Sequence, residues 1–244
     1  MDKPKKYIFQ SSETLSIVLA EKVLNMVKDS VIRTKPFNIA ISGGRTPIIL
    51  FELIASEYQD PSHWDDVHFY FADERCVPPD HPESNYGMIY ESLLRYLSLS
   101  QDNVHRMKGE LDPETEAVQY EKLIIDRVPS YNGLPCFDLI MLGMGEDGHT
   151  ASIFPHEMEL FYSSDLCVVS THPESGQKRI TLTGKVINNA RNIFFLVTGK
   201  EKSATLSRII DSDERLKFPA GLVEPVHGKL EWYLDNEAAR LLCK

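Results

Sequence analysis

The stretch Phe37-Asn38-Ile39-Ala40-Ile41-Ser42-Gly43-Gly44-Arg45-Thr46-Pro47 decides the fold. A short, largely apolar run leads through Ser42-Gly43-Gly44 to Thr46 and Pro47. Threonine suits a helix N-cap and proline the first helical position, so a helix is expected over Pro47–Tyr58. Strand, glycine turn and helix in direct succession form half of a βαβ unit. The alternation continues along the chain. Tyr7–Phe9, Val67–Phe71, Phe137–Leu142, Leu166–Ser170 and Asn192–Thr198 read as further strands. Ser12–Ser30, Asn85–Leu97, Pro113–Arg127 and Glu201–Ile210 carry apolar residues at helical spacing. Several of the strands are continuously apolar, which requires cover on both faces of the sheet. The expected fold is therefore α/β, a doubly wound, mostly parallel sheet with helices on both faces.

Composition narrows the function. A chain of 244 residues, 42% hydrophobic and 25% charged, reads as one globular domain over residues 1–244. The formal net charge of -10 argues against nucleic acid and anionic membrane as partners. An anionic substrate would therefore need a locally basic site. Cys76, Cys136, Cys167 and Cys243 form no CxxC pair, which fits a reduced, cytoplasmic protein. The basic start, Met1-Asp2-Lys3-Pro4-Lys5-Lys6, leads into too short an apolar piece for a signal peptide or a membrane span. The sequence carries no signal for oligomeric state.

Ligands of doubly wound folds sit beyond the carboxyl ends of the strands, so three strand ends were read for chemistry. The first is Ser42-Gly43-Gly44-Arg45, where backbone N–H groups ahead of a helix can meet an anion. The second, Ala72-Asp73-Glu74-Arg75, reads as a strand exit that offers an acid for proton transfer and an arginine for a phosphate. Ser84 of Glu83-Ser84-Asn85-Tyr86-Gly87 reads as a helix cap. The third is Gly143-Met144-Gly145-Glu146-Asp147-Gly148-His149. Its GxGxxG likeness is superficial, because the loop lies mid-chain and Pro155 soon interrupts it. His149 and His156 lack zinc spacing, so no metal is expected. His149 remains as an acid/base, since an imidazole ordinarily titrates near ~6.5.

SGGRTP, ADERCVP with ESNYG, LGMGEDGHTASIFP, RITLTGKVINNA with FLVTGKEKS, and PVHGKLEWYLDNEAA together resemble the 6-phosphogluconolactonase family. The likeness is ordered from about Phe9 to near the carboxyl terminus. It implies a Rossmann-like fold related to glucosamine-6-phosphate deaminase, a sugar-phosphate lactone as substrate, and no cofactor. The deaminase is the alternative reading. There the histidine is followed by an AFNEP-like run whose glutamate completes a relay, and Phe154 stands at that place here. A non-catalytic sugar-phosphate sensor is the third reading, disfavoured because the chain begins directly with the fold and is acidic.

For lactone hydrolysis, His149 is expected to take a proton from water and return it to the ring oxygen, with Asp147 or Asp73 orienting the imidazole. N–H groups at Gly43, Gly44 or the His149 loop are candidates for holding the oxyanion. No GxSxG elbow supports a serine nucleophile. By resemblance, Arg75, Arg179 and Lys202 are the phosphate ligands, with Lys200 facing solvent. Ser42, Gly43, Gly44 and Arg45 complete the expected binding set. Arg45 departs from the family, which commonly carries a small residue there. His105 is expected to be structural, and His63, His68, His81, His172 and His227 show no convergent partners in the sequence. Trp64 and Trp232 are expected in the core.

Overall fold

The computed structural model describes residues 4–32, 35–58 and 60–243. In chain order, β1 (Lys5–Phe9), α1 (Ser12–Ile32), β2 (Phe37–Ile41), α2 (Thr46–Glu57) and β3 (Val67–Phe71) open the fold. β4 (Asp73–Arg75), α3 (Asn85–Ser92), β5 (Val104–His105) and α4 (Pro113–Arg127) follow, then a short hairpin of β6 (Ser130–Tyr131) and β7 (Leu134–Pro135). β8 (Leu139–Leu142), β9 (Cys167–Thr171), β10 (Lys178–Leu182), α5 (Gly184–Ile187), β11 (Asn192–Val197), α6 (Ser203–Ile210) and β12 (Lys229–Asp235) complete it.

Seven strands form one sheet in the order β1-β12-β11-β8-β2-β3-β5, and every neighbouring pair is parallel. β2 and β8 are buried at every position. Successive side chains of a strand point to opposite faces, so unbroken burial means that both faces are covered. This is the doubly wound α/β arrangement expected from the alternation. Trp64 and Trp232 lie in the core, Trp64 donating its indole N–H to the Tyr58 carbonyl at 2.7 Å and Trp232 stacking on Phe195 at 4.1 Å.

β4, β10 and β9 form a separate antiparallel sheet. Ala72 stitches it to the main one, donating to the Ile41 carbonyl and accepting from the Leu182 N–H, both at 2.9 Å. Here the structure corrects four expectations. Asp73–Arg75 is a strand instead of an exit turn, and Leu166–Ser170 becomes Cys167–Thr171 of the small sheet. The helix expected over Asn85–Leu97 stops at Ser92 and gives way to a tighter turn at Leu94–Tyr96. Thr46 is not an N-cap: Arg45 takes that position without a side-chain capping bond, and the Thr46 hydroxyl pairs with that of Thr198 at 3.0 Å. Ser84 does cap α3, accepting from Gly87 N–H at 3.0 Å.

The β3–β5 edge is held by a buried polar cluster. The Tyr120 hydroxyl accepts from Phe71 N–H at 2.8 Å and lies 3.2 Å from the carbonyls of Phe71 and His105. His105 stacks on Tyr70 and meets His68, with ring nitrogens 3.0 Å apart. Tyr120→Phe leaves a buried N–H without an acceptor, so it should cost about 1–3 kcal/mol in urea unfolding. Burial first, then the charges of His68 and Arg127, lower the His105 imidazole to about 4. Burial lowers His68 as well. An unfolded histidine titrates near ~6.5, so the unfolded chain binds more protons below that pH. Stability should therefore decline as pH falls from about 6.5 towards 4, and His105→Gln should flatten that stretch of the pH–Tm curve.

Candidate active site

From β2 the chain winds outward to β3 and β5, and from β8 it winds the other way to β11 and β12. The loops that leave the carboxyl ends of β2 and β8 therefore part, and the crevice between them is where such sheets bind ligands. A cavity of about 610 Å³ opens there. Its walls include Ser42, Gly43, Gly44, Arg45, Asp73, Arg75, His149, Arg179 and Lys202. Every expected site residue except Asp147 thus meets in one place, and Asp147 lies against His149. A larger cavity, about 770 Å³, sits at the amino ends of β1 and β12 beside Lys5 and Lys229. It contains none of these groups and lies at the opposite end of the sheet from the strand-end crevice.

The His149 loop is shaped by its glycines. Gly145 N–H donates to the His149 carbonyl at 2.9 Å, and a Cβ on Gly145 would fall 2.2 Å from His149 Nδ1. Gly148 has φ +84°, which favours glycine. Within this tight loop Asp147 Oδ1 accepts from His149 N–H at 3.1 Å and stands 2.7 Å from His149 Nδ1. Burial disfavours the Asp147 carboxylate, but the hydrogen bond and charge of His149 outweigh it and hold the carboxyl below its usual range. A proton on Nδ1 directed at Asp147 leaves Nε2 as the acceptor. Phe154 packs on the imidazole with ring centroids 4.8 Å apart. Where the deaminase relay would place a carboxylate, an aromatic ring covers the histidine.

Asp73 makes no hydrogen bond with His149. Its Oδ2 accepts from Ser152 Oγ at 2.6 Å, and its backbone carbonyl accepts from Asn85 Nδ2 at 2.9 Å. Of the two carboxylates expected to orient His149, Asp147 is the one in contact. Asn85 also explains Gly43, where a Cβ would sit 1.9 Å from Asn85 Oδ1. Next to it, Glu74 is fully occupied with structure: it accepts from the N–H groups of Arg75, Asn85 and Tyr86, each at 2.7 Å, and from Ser84 Oγ. Asn85 and Ser152 were not singled out in the sequence. The available signals were a polar residue in the first turn after the Ser84 cap and a lone hydroxyl between Ala151 and Ile153.

The opposite wall is cationic. Arg75 and Arg179 are direct cross-strand partners in the β4–β10 ladder, a like-charge pairing that is destabilising by itself. Both Nε atoms are buried without a hydrogen-bond partner, as are Ser42 Oγ and Asn85 Oδ1. Burial, followed by the charge of Arg75, lowers the tendency of Arg179 to hold its proton, and burial does the same to Lys202. The Lys202 ammonium has no ion pair or hydrogen bond among the described residues, its backbone N–H alone donating to the Gly199 carbonyl at 3.4 Å. Arg45 is exposed at the rim, and Lys200 faces outward as expected. Buried donors left unpaired cost free energy unless a ligand meets them, and their shared positive charge selects an anion. Among the described residues, no three His, Cys, Asp or Glu side chains gather as a metal would require, and no helix is long and apolar enough to cross a membrane.

A carboxylate–histidine pair facing a cationic wall, at the switch point of a parallel sheet, defines an α/β enzyme site for a small anionic molecule. The chain belongs to the glucosamine-6-phosphate isomerase/6-phosphogluconolactonase family, whose model matches residues 10–232. It is 44% identical to the 6-phosphogluconolactonase of Treponema pallidum, covering 88% of this chain and 87% of that one. It is also 44% identical to the Haemophilus influenzae 6-phosphogluconolactonase, covering 85% and 88%. The structure of 6-phosphogluconolactonase from Trypanosoma brucei superposes with a TM-score of 0.88 over the full length of both chains, at 27% identity.

The unpaired cations make a stability prediction. Inorganic phosphate should raise the Tm progressively with concentration, as expected for a ligand of the folded state. Arg179→Met should be at least as stable as the parent without phosphate, because it removes the like-charge pairing, and should lose most of the phosphate-induced shift.

Proposed function

We propose that this chain hydrolyses 6-phospho-D-glucono-1,5-lactone to 6-phospho-D-gluconate in the oxidative pentose phosphate pathway, as a single-domain cytoplasmic enzyme. The observation that carries the reading is the joint placement of the Asp147–His149 pair and the Arg75–Arg179 wall around one cavity. The named relatives supply the substrate.

In this mechanism the Arg75 and Arg179 guanidiniums and the Lys202 ammonium hold the phosphate and place the lactone carbonyl beside His149. Nε2 of His149 removes a proton from water as the water oxygen bonds to C1. Asp147 keeps the imidazole oriented and stabilises its charged form. The N–H groups of Gly43 and Gly44 have no partners among the described residues, whereas those of Gly145, Gly148 and His149 are already engaged. The β2 loop therefore has the free donors for the oxyanion. When the tetrahedral intermediate collapses, the C1–ring oxygen bond breaks and the imidazolium returns its proton to that oxygen. No covalent enzyme intermediate is needed. Asp73, held by Ser152 and Asn85, lines the cavity as a fixed acceptor beside the reacting centre.

The test generates the lactone enzymatically and follows its loss against spontaneous hydrolysis, with ammonia release from glucosamine 6-phosphate measured in parallel. The expected result is accelerated lactone loss without ammonia. His149→Asn should lower kcat by about 10²–10⁴, the usual contribution of a general base. Lactone loss at the spontaneous rate would defeat the function, and full activity in His149→Asn would defeat the mechanism.

A further inference from the structure

We propose that Thr205 is a positioning residue through which phosphate held at Lys202 fixes the His149 loop, so that the substrate's phosphate contributes to turnover as well as affinity. The inference rests on the lactonase reading above and extends it.

The route is short and made of named contacts. Lys202 ends the turn Lys200–Lys202 that runs directly into α6. Two residues beyond the start of α6, Thr205 Oγ1 donates to the Glu146 carbonyl of the His149 loop at 2.6 Å. A second tie follows from the segment after α6, where Ala220 N–H donates to the Gly148 carbonyl at 3.0 Å. Phe218 fills the space under Gly148, where a Cβ would come within 2.5 Å of its ring, and Arg208 of α6 lies 4.6 Å over that ring. The outer side of the loop is thus held by α6 and the residues that pack on it.

The other side of the Lys202 turn is anchored. Gly199 N–H is bound by the Asp235 carboxylate at 3.1 Å, and Thr198 is tied to Thr46. Ordering Lys202 against a phosphate therefore acts forward, on α6 and Thr205. The loop it reaches is closed on itself by the Gly145, Gly148 and Thr150 hydrogen bonds, so it moves as a unit, and Thr205 and Ala220 are the bonds that join that unit to α6 and the segment after it. Before a ligand arrives, the Lys202 ammonium feels the charges of Glu201, of Glu146 on the His149 loop and of Asp235, opposed by Arg45, and is hydrogen-bonded to none of them. Binding energy from a remote, unreactive group of a substrate can be used in this way to align the reacting centre, and its loss then appears in kcat.

The experiment uses D-glucono-1,5-lactone, which lacks the phosphate, with and without inorganic phosphite, alongside the phosphorylated lactone. In the parent protein, phosphite should raise the enzymatic rate on D-glucono-1,5-lactone by about tenfold, within the range of an ordinary inter-site coupling. Thr205→Val should lose most of that activation, read as the ratio of its own rates with and without phosphite, and Thr205→Ser, which keeps the hydroxyl, should retain it. On the phosphorylated lactone, Thr205→Val should lower kcat by about tenfold with KM within about twofold. Failure of phosphite to activate the parent would overturn the proposal, and so would equal losses in Thr205→Val with and without phosphite, or a change in KM alone. If the parent does not accelerate loss of the phosphorylated lactone at all, the lactonase reading falls and this inference falls with it. Hydrolysis of the phosphorylated lactone without phosphite activation sinks the coupling alone.

Discussion

The parallel pairing of β2 with β8, Ile39 to Leu139 through Ile41 to Met141, is the constraint on which the site depends. These two strands come from distant parts of the sequence, and the chain leaves them in opposite directions across the sheet. Two loops that would cover each other in a singly wound sheet are forced apart. The gap between them must be lined by whatever follows each strand, which here is Ser42-Gly43-Gly44 on one side and the Gly143–His149 loop on the other. Full burial of both strands fixes their register, because a slip by one residue would exchange the apolar positions of the two faces. The position of His149 relative to the Gly43 N–H follows from core packing several residues away.

The small antiparallel sheet adds what the parallel one lacks, a basic wall in an acidic protein. By continuing β3 through Ala72 into β4, the chain carries Asp73 and Arg75 past the end of the main sheet, and β10 brings Arg179 opposite Arg75. Two guanidiniums in direct register oppose folding modestly, and burial raises that cost. Structural needs account for the arrangement only in part: Arg75 donates to the Glu83 carbonyl, but the neighbouring Glu74 carboxylate is occupied by the start of α3 and neither Nε finds a partner. An anionic ligand resolves the conflict, so local instability and specificity for a phosphorylated substrate have the same origin.

Sequence patterns revealed the parallel sheet well where apolar runs were continuous. Phe37–Ile41, Val67–Phe71 and Pro113–Arg127 have the bounds read from the residues alone. β12 escaped notice because Lys229, Glu231 and Asp235 interrupt its apolar pattern; Glu231 is buried there with the Tyr233 hydroxyl and Lys22 as partners. The capping role given to Thr46 failed because a tertiary partner, Thr198, competes for its hydroxyl. The site residues converge because strand ends converge, a rule of topology. Which carboxylate touches His149 depends on loop closure, which composition does not encode. The opposition of Arg75 and Arg179 depends on a register between segments far apart in the chain, and Asn85 and Ser152 gain significance only once Gly43 and Asp73 are placed beside them.

The pairing at the centre of the site is modest for an acid/base apparatus. His149 and Asp147 are both substantially exposed, at 31% and 41% of their side-chain surface, and no second carboxylate extends the pair. A lactone is an activated ester that water opens without help, so a strong nucleophile confers little advantage. On the mechanism proposed above, what remains is to hold a mobile water, the carbonyl and the imidazole in line, which is a problem of position. Of the buried polar side-chain atoms without a partner among the described residues, those on residues that line the cavity are Arg75 Nε, Arg179 Nε, Ser42 Oγ and Asn85 Oδ1, on the cationic wall and beside the β2 loop. Phe154 packs on the His149 ring and lies beneath the Arg179 guanidinium, and offers neither a competing charge. A carboxylate at that place would be drawn to Arg179 and would compete with an anionic ligand for it, whereas the aromatic ring leaves Arg179 without a competing charge.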